Sequence, residues 1–379
     1  MLLTKSYNER YRQQWDSFVM NSNDASLFHL TGWKDAIERT FGHKQRYIMA
    51  MRDEKILGIL PLFEIKSRPF GHALVSVPFG VYGGISANSK EVYARLKGSA
   101  ELLARLLGVD YLEFRSVLSQ SLFNCSNCSV APLDGNDANN SNISKNSPVL
   151  NSLNDSNSSN WLTKDLYVTF QRPIFDTSDK NFDAIPRKQR RMIRQGMKYG
   201  LSSKIGGIED LEKFYFIYAR NVRDLGSPVF PIIFFKALME NFRDSFILTV
   251  WKDGKMVAGV LTFVFKDTLM PYYGGGLKDY SQYAINDFMY WELMKYGCKK
   301  GYKVFDFGRS KKDTGSYHFK RHWGFEPEEL KYYCYLVKAN VMPNVSPVNP
   351  KYKLFINIWK RLPLPVTNWL GPKLVRGIP

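Results

Sequence analysis

The strongest constraint on this chain is an order of local signals that occurs twice. The first run reads RYIMAMRDEKILGILPLFEI, a hairpin pattern with a charged turn, followed by VPFGVYGGI, a long helical stretch stopped at Gly108, and the strand pattern GVDYLEFRS. The second reads FILTVWKDGKMVAGVLTFVF, a hairpin turning at Asp253 and Gly254, then MPYYGGGL, a helical stretch stopped at Gly301, and GYKVFDFGRS. Apolar alternation about a short turn specifies a hairpin, and a glycine after a periodic segment stops a helix. Dissimilar signals kept in one order point to a duplicated unit. Hairpins that lead into a helix and a further strand give an α+β architecture, here two tandem units with mixed, mainly antiparallel sheets flanked by helices.

With 379 residues the chain accommodates two such units. Between them, from 124 to 160, Asn and Ser fill 20 of 37 positions. So polar a tract buries too little surface to offset its ordering entropy, which predicts a disordered insertion. The expected division is residues 1–123, the insertion 124–160, a second unit 161–340, and a basic, aromatic tail 341–379.

Charge narrows the partners. The formal net charge is +18, an excess that favours nucleic acid, nucleotide-linked sugars or anionic lipid surfaces, or that serves solubility alone. Cys125 and Cys128 form a CxxC without strand–helix context, and Cys298 and Cys334 stand singly, so reduced thiols and no metal are expected. His318 and His322 have helical metal-pair spacing but lack a third ligand, and belong to a solvated helix face. The absence of an apolar leader, and of a run of about 18 apolar residues, predicts a cytoplasmic chain.

Two basic segments carry the chemical interest. FDFGRSKKDTGSYHFKRHWGFEP runs from Phe305 to Pro327. Its glycine spacing is wrong for a Walker loop. Arg309, Lys311, Lys312 and Lys320 nevertheless flank a loop between a strand and a short helix capped by Thr314, an arrangement that favours an anion. Asp306 is either a positioned carboxylate beside that loop or a partner of Arg309 that fixes the turn. The other segment, IPRKQRRMIRQGMKYG, places Arg187, Lys188, Arg190, Arg191, Arg194 and Lys198 on a helix with no interleaved acid, which suits a polyanion or a solvated face. Asn286 is the expected cap of the helix DFMYWELMKYGCKK.

PRKQRRMIRQGMKYGL, RNVRDLGSPVFP, MPYYGGG, INDFMYWELM, the segment from Phe305 to Pro327, and NPKYKLFINIWKRLPLPV together resemble the Fem family of non-ribosomal peptidyl transferases. More broadly they are similar to acyltransferases on the Gcn5-related N-acetyltransferase (GNAT) fold. The resemblance is nearest to FemAB-related proteins of the exosortase/PEP-CTERM exopolysaccharide system, and it covers most of the chain after Leu166. It implies two tandem GNAT-like domains and transfer of an acyl or aminoacyl group to an amine on a glycan precursor. The donor would be aminoacyl-tRNA or acyl-CoA, with no resident cofactor, and the acceptor a nucleotide- or lipid-linked glycan. CoA users usually carry a glycine-rich turn after the fourth strand, which LKDYSQYAIN lacks.

Under that resemblance, oxyanion stabilisation falls to the loop from Gly308 to Gly315 with Arg309 and Lys311, and to Lys320. Asp306 would accept the amine proton. Ser310 and Gly315 would meet the substrate. Tyr273 and Tyr317 are acids or substrate platforms if they are not simply core aromatics. Arg187, Arg190, Arg191 and Arg194 would grip phosphate. The tail, with Trp359, Trp369, Lys360 and Arg361, either folds back on the body or touches an anionic membrane at the inner face. Rival readings are an acyl-CoA-dependent amino-sugar N-acyltransferase and a non-catalytic scaffold that binds polyanions or membrane.

Overall fold

A computed structural model describes residues 1–115, 160–342 and 353–378; Cys125, Cys128 and nearly all of the Asn/Ser tract lie outside them. The first half contains β1 (Leu3–Ser6), α1 (Arg12–Asn21), α2 (Thr31–Phe41), β2 (Lys44–Gln45), β3 (Ile48–Arg52), β4 (Lys55–Leu60), β5 (Phe63–Ser67), β6 (Gly71–Ser76), β7 (Ser86–Ala87), α3 (Lys90–Leu107) and β8 (Tyr111–Arg115). After it come β9 (Trp161–Pro173), α4 (Ser178–Asp183), α5 (Arg187–Lys198), β10 (Ser202–Gly206), α6 (Leu211–Leu225), α7 (Ile232–Asn241), β11 (Phe246–Lys252), β12 (Lys255–Phe265) and β13 (Thr268–Gly276). The chain continues with α8 (Ile285–Lys300), β14 (Val304–Asp306), β15 (Ser310–Lys311), α9 (Gly315–His322), β16 (Pro327–Leu336), α10 (Lys353–Trp359) and α11 (Leu364–Arg376).

The repeat is written in the strand register. Met51 faces Ile56 and Ala50 faces Gly58; Trp251 faces Met256 and Val250 faces Ala258, with one irregularity at the same step of each hairpin. Both turns use two residues of positive φ, Asp53 with Glu54 and Asp253 with Gly254, the geometry that matches strand twist in a tight hairpin. β1 joins β3 as β10 joins β11, and the parallel pair β6 and β8 repeats as β13 and β14.

The copies differ in one respect. β12 is continuous, whereas its counterpart breaks into β4 and β5 at Pro61, a residue with no N–H to give a ladder. The first copy therefore splits between a four-stranded sheet, β1-β3-β4-β7, and the large sheet. VPFGVYGGI forms almost no strand, while MPYYGGG is the body of β13. Asn286, the expected cap, instead lies inside the first turn of α8, which starts from Ala284 in the left-handed region.

The halves are joined by exchanged strands. β9 pairs antiparallel with β14, β16 pairs antiparallel with β8, and β9 and β16 pair with each other. The result is one large sheet in the order β10-β11-β12-β13-β14-β9-β16-β8-β6-β5-β2. On its flank α2 crosses α7, and Trp33, Phe41, Phe234 and Phe235 share one buried cluster. A Cβ at Gly32 would meet Asn241 Cβ at 3.2 Å, so the two helices nearly touch there.

His29 sits in this core. Its Nδ1 accepts the Ser26 N–H at 3.1 Å and its Nε2 lies 3.1 Å from Gly84 O, an arrangement that fits one neutral tautomer. Burial pushes its pKa down to about 4. Below the usual histidine range the unfolded chain binds a proton that the folded chain refuses, so stability falls from about pH 6.5 toward pH 4, by about 3 kcal/mol from this group. Denaturant titrations of wild type and His29→Gln across that window should show the acid slope flattened in the variant.

Candidate active site

The site grows from β14. Phe305 and Phe307 alternate onto one face and pack with Trp323 and Phe325 in the second core. Alternation turns Asp306 to the opposite face, where it is 2% exposed. Its Oδ1 accepts the Gly308 N–H at 2.6 Å and the Tyr82 O–H at 3.1 Å, and its Oδ2 accepts Gln171 Nε2 at 2.9 Å. Burial raises its pKa, opposed by those hydrogen bonds and by Lys320. Gly308 has φ 64, a conformation that admits glycine without strain.

Lys320, projecting from α9, holds the same loop from the other side. Its Nζ donates to Phe307 O at 2.7 Å, Gly308 O at 3.0 Å and Arg309 O at 3.2 Å. Burial lowers its pKa to about 7 against the pull of Asp306. Lys320, expected at the oxyanion, spends all three ammonium donors on main-chain carbonyls. Asp306, expected either as a base or as a partner of Arg309, is enclosed and bonds the Gly308 amide instead. The pair clamps one turn, and that turn presents Arg309.

Arg309 faces a cavity of about 430 Å³ between the halves, lined also by Glu113, Arg115, Lys164, Tyr167, Tyr272, Tyr273 and Tyr332. The Arg309 guanidinium lies 4.4 Å from the Tyr167 ring centre and donates to Tyr332 Oη at 3.1 Å. Tyr332 in turn donates to Val81 O at 2.8 Å. Opposite, Glu113 accepts Arg115 Nε at 2.9 Å and Lys164 Nζ at 2.8 Å. Burial alone would raise the Glu113 pKa, but those two cations hold it at about 2. Three cations against one carboxylate leave the lining positive. Tyr273 is buried in a cluster of aromatic rings, and its hydroxyl has no hydrogen-bond partner among the described residues.

The duplication places these groups. Glu113 and Asp306 each stand five residues past the glycine that ends the preceding helix, and Arg115 and Arg309 each close the strand signature. The repeated Arg-Ser ending was the signal that could have nominated Arg115. Lys164, Tyr167 and Tyr332 were missed because they reach the cavity only through the pairing of β9 with β16.

The remaining expected residues lie elsewhere. On α5, Arg187, Arg191 and Arg194 are exposed and Arg190 is paired with Asp183 at 2.8 Å; none lines the cavity. This helix borders the loop between β13 and α8, with Gln195 Nε2 donating to Gln282 O at 3.0 Å. Lys311 is half-buried on β15, Ser310 is buried with an unpartnered hydroxyl, and Gly315 is exposed. Tyr317 packs edge-on against Phe170 at 5.6 Å, a core contact. At the start of α8, Asp287 accepts Trp323 Nε1 at 3.0 Å, and burial raises its pKa to about 6. Among the described residues no His/Cys/Asp/Glu cluster could hold a metal, and no helix is long and apolar enough to cross a membrane.

Residues 187–321 match the family model described as an acetyltransferase (GNAT) domain. The chain has the mixed α and β layers of the GNAT fold, with the family match confined to that segment. Among solved structures it is similar to FemX, at 16% identity and TM-score 0.62, over 91% of this chain and 98% of that one. It is also similar to the C-terminal domain of a putative lysylphosphatidylglycerol synthetase from Agrobacterium fabrum, at 12% identity and TM-score 0.54, over 86% and 92% of the two chains. A tandem GNAT protein from the clavulanic acid biosynthesis pathway matches at 10% identity and TM-score 0.51, over 89% and 99%. No curated protein matches the chain.

Proposed function

We propose that the chain transfers an aminoacyl or acyl group to an amine on a cell-envelope or exopolysaccharide glycan precursor bound between its two GNAT-like units, residues 1–123 and 161–340. The observation that carries this reading is the positive, tyrosine-lined cavity at the junction of the halves. Arg115, Arg309 and Lys164 suit the phosphate of a nucleotide- or lipid-linked acceptor, and Tyr167 and Tyr332 offer faces for sugar or base rings. The neutral amine attacks the carbonyl carbon of the donor ester, forming a C–N bond and an oxyanion. Collapse breaks the C–O bond, and the proton lost by the amine ends on the leaving hydroxyl. The unpartnered Tyr273 hydroxyl is the donor we assign to the developing oxyanion. Asp306 and Lys320 are positioning residues that act through Arg309. Ser310, Lys311 and Gly315 border the same loop.

Aminoacyl-tRNA is the favoured donor. The turn before α8 lacks glycines, and Asp287 occupies the first helical turn, where a carboxylate competes with a pyrophosphate. The cationic face of α5 beside that turn suits a nucleic-acid backbone. The GNAT description of residues 187–321 supports acyl-CoA as the second reading. The motif resemblance to FemAB-related proteins supports an acceptor from an exosortase/PEP-CTERM exopolysaccharide system and a cytoplasmic site of action.

Filter binding of aminoacyl-tRNA across a salt series tests the donor face. Reversing Arg187, Arg191 and Arg194 to Glu is expected to flatten the log–log salt slope by about 2 to 3, as the loss of three phosphate contacts implies. An unchanged slope would remove α5 from the donor site.

A further inference from the structure

The tail helices return to the body and leave one face outward. Trp359 of α10 is buried, its indole N–H donating to Ser227 O at 3.0 Å. On α11, Thr367, Gly371 and Val375 are buried at a spacing of four, and a Cβ at Gly371 would lie 2.8 Å from Val229 N. Both helices thus cover the same segment, 226–229, and their opposite faces look away from it. Those faces carry Leu354 and Ile358 on α10, and Val366 and Trp369 on α11, with Leu354 72% and Trp369 63% exposed; Phe355 lies on the Trp359 side, 5.3 Å from its ring. Lys373 Nζ sits 3.6 Å from the Trp369 ring centre. Exposed apolar side chains in such number on one face mark an interaction surface.

The stripe on α11 runs from Trp369 through Lys373 to Arg376, and there it borders a second cavity, of about 690 Å³, against the turn between β5 and β6. This cavity is distinct from the one between the halves. Lys44 and Arg68 line it with Lys373 and Arg376, and none of these four has an acidic partner among the described residues. Its one carboxylate among the described residues, Glu64, is already engaged by Arg46, Lys66 and His72. His43, 7% exposed, also lines the cavity, and its Nε2 has no hydrogen-bond partner among the described residues. Among the described residues the cavity thus combines positive charge without an acidic partner and a buried polar atom without a hydrogen bond.

We propose that this face docks on an anionic phospholipid bilayer, with α11 lying in the interface, Trp369 at headgroup depth, and the basic cavity receiving a phosphate-bearing headgroup. An amphipathic helix with an interfacial tryptophan and flanking cations is the physical signature of such a surface. A nucleic acid would use the cations but has no use for Leu354, Ile358 or Trp369 set among them.

The test is co-sedimentation of the full chain with vesicles at about 0.1 M salt. Phosphatidylcholine containing one quarter phosphatidylglycerol is compared with phosphatidylcholine alone. Binding to the anionic vesicles is expected, falling as salt rises. Arg68→Glu with Lys373→Glu should lower partitioning at least tenfold, since each cation near such a surface contributes about fivefold. Leu354→Ser with Ile358→Ser, exposed positions that the fold tolerates, should lower it severalfold at unchanged circular dichroism, as should Trp369→Ala. Inorganic phosphate at millimolar concentration should fail to compete; competition would reassign the cavity to a soluble anion. Equal binding to neutral and anionic vesicles, or unaltered binding by the variants, would overturn the proposal. So would loss of tRNA binding in the charge-reversed variant with vesicle binding intact.

Discussion

Lys320→Met is expected to lower kcat/KM about 100-fold while moving Tm by only a few degrees. The split follows from where the ammonium sits. Three main-chain carbonyls receive its protons, a gain offset by the cost of burying the charge, which is why its pKa falls to about 7. Methionine keeps the volume and removes the desolvation cost, but it leaves those carbonyls without their donor, so the net loss is about 1 to 3 kcal/mol. The Phe307–Arg309 turn, however, loses one jaw of its clamp, and a displacement of about 1 Å in a positioned group can cost 10²-fold in rate. A double-mutant cycle separates this role from direct chemistry. If Lys320 acts through Arg309, Lys320→Met adds little to Arg309→Ala. If Lys320 touches the reacting atoms, the two losses multiply. The sign of the pH dependence is also set. Between about pH 7 and the ordinary lysine range the unfolded chain binds the extra proton, so Lys320 makes stability rise with pH there, and that rise should vanish in the methionine variant.

Arg309→Ala is expected to have the larger effect, about 100- to 1000-fold in kcat/KM, most of it as a raised KM for the acceptor. The guanidinium lies over Tyr167, bonds Tyr332 and faces the cavity between the halves, and truncating one side of a buried charged contact costs about 3 to 4 kcal/mol. Arg309→Lys should recover only part of this, because an ammonium cannot both lie flat on Tyr167 and reach Tyr332. Steady-state kinetics with the acceptor varied at saturating donor would show the effect in KM. A loss confined to kcat would move Arg309 from acceptor binding to the chemical step.

Much of the architecture was legible because hairpins, glycine stops and strand endings are local signals. The repeat, the α+β class and the positions of Asp306, Lys320 and Arg309 around one turn all followed from them. The tail was legible only in part: Trp359 folds inward, one of the two arrangements left open, while Pro363 starts α11 and Pro365 and Pro372 lie within it. Roles were harder to read than positions. Lys320 bonds backbone carbonyls, and a carbonyl has no sequence signature, so a lysine near a basic loop reads as a ligand for substrate although its ammonium meets the main chain. The exchange of β9 and β16 between the halves was hidden because it depends on pairing across long sequence separations. With it were hidden Lys164, Tyr167 and Tyr332 in the cavity's polar lining. Asn286 misled for a local reason: Ala284 adopts the left-handed conformation that starts α8 without a side-chain cap.

The central claim is that the cavity between the halves holds the acceptor of an aminoacyl transfer. The most direct measurement supplies purified protein and extracted glycan precursors with labelled aminoacyl-tRNA and labelled acyl-CoA in parallel, and counts label on the glycan for wild type and Arg309→Ala. The expected result is label from aminoacyl-tRNA with the wild type, lost in Arg309→Ala and restored in part by raising the acceptor concentration. Label from acyl-CoA alone would transfer the claim to the second donor. No label from either donor with intact precursors, or full labelling by Arg309→Ala, would contradict it.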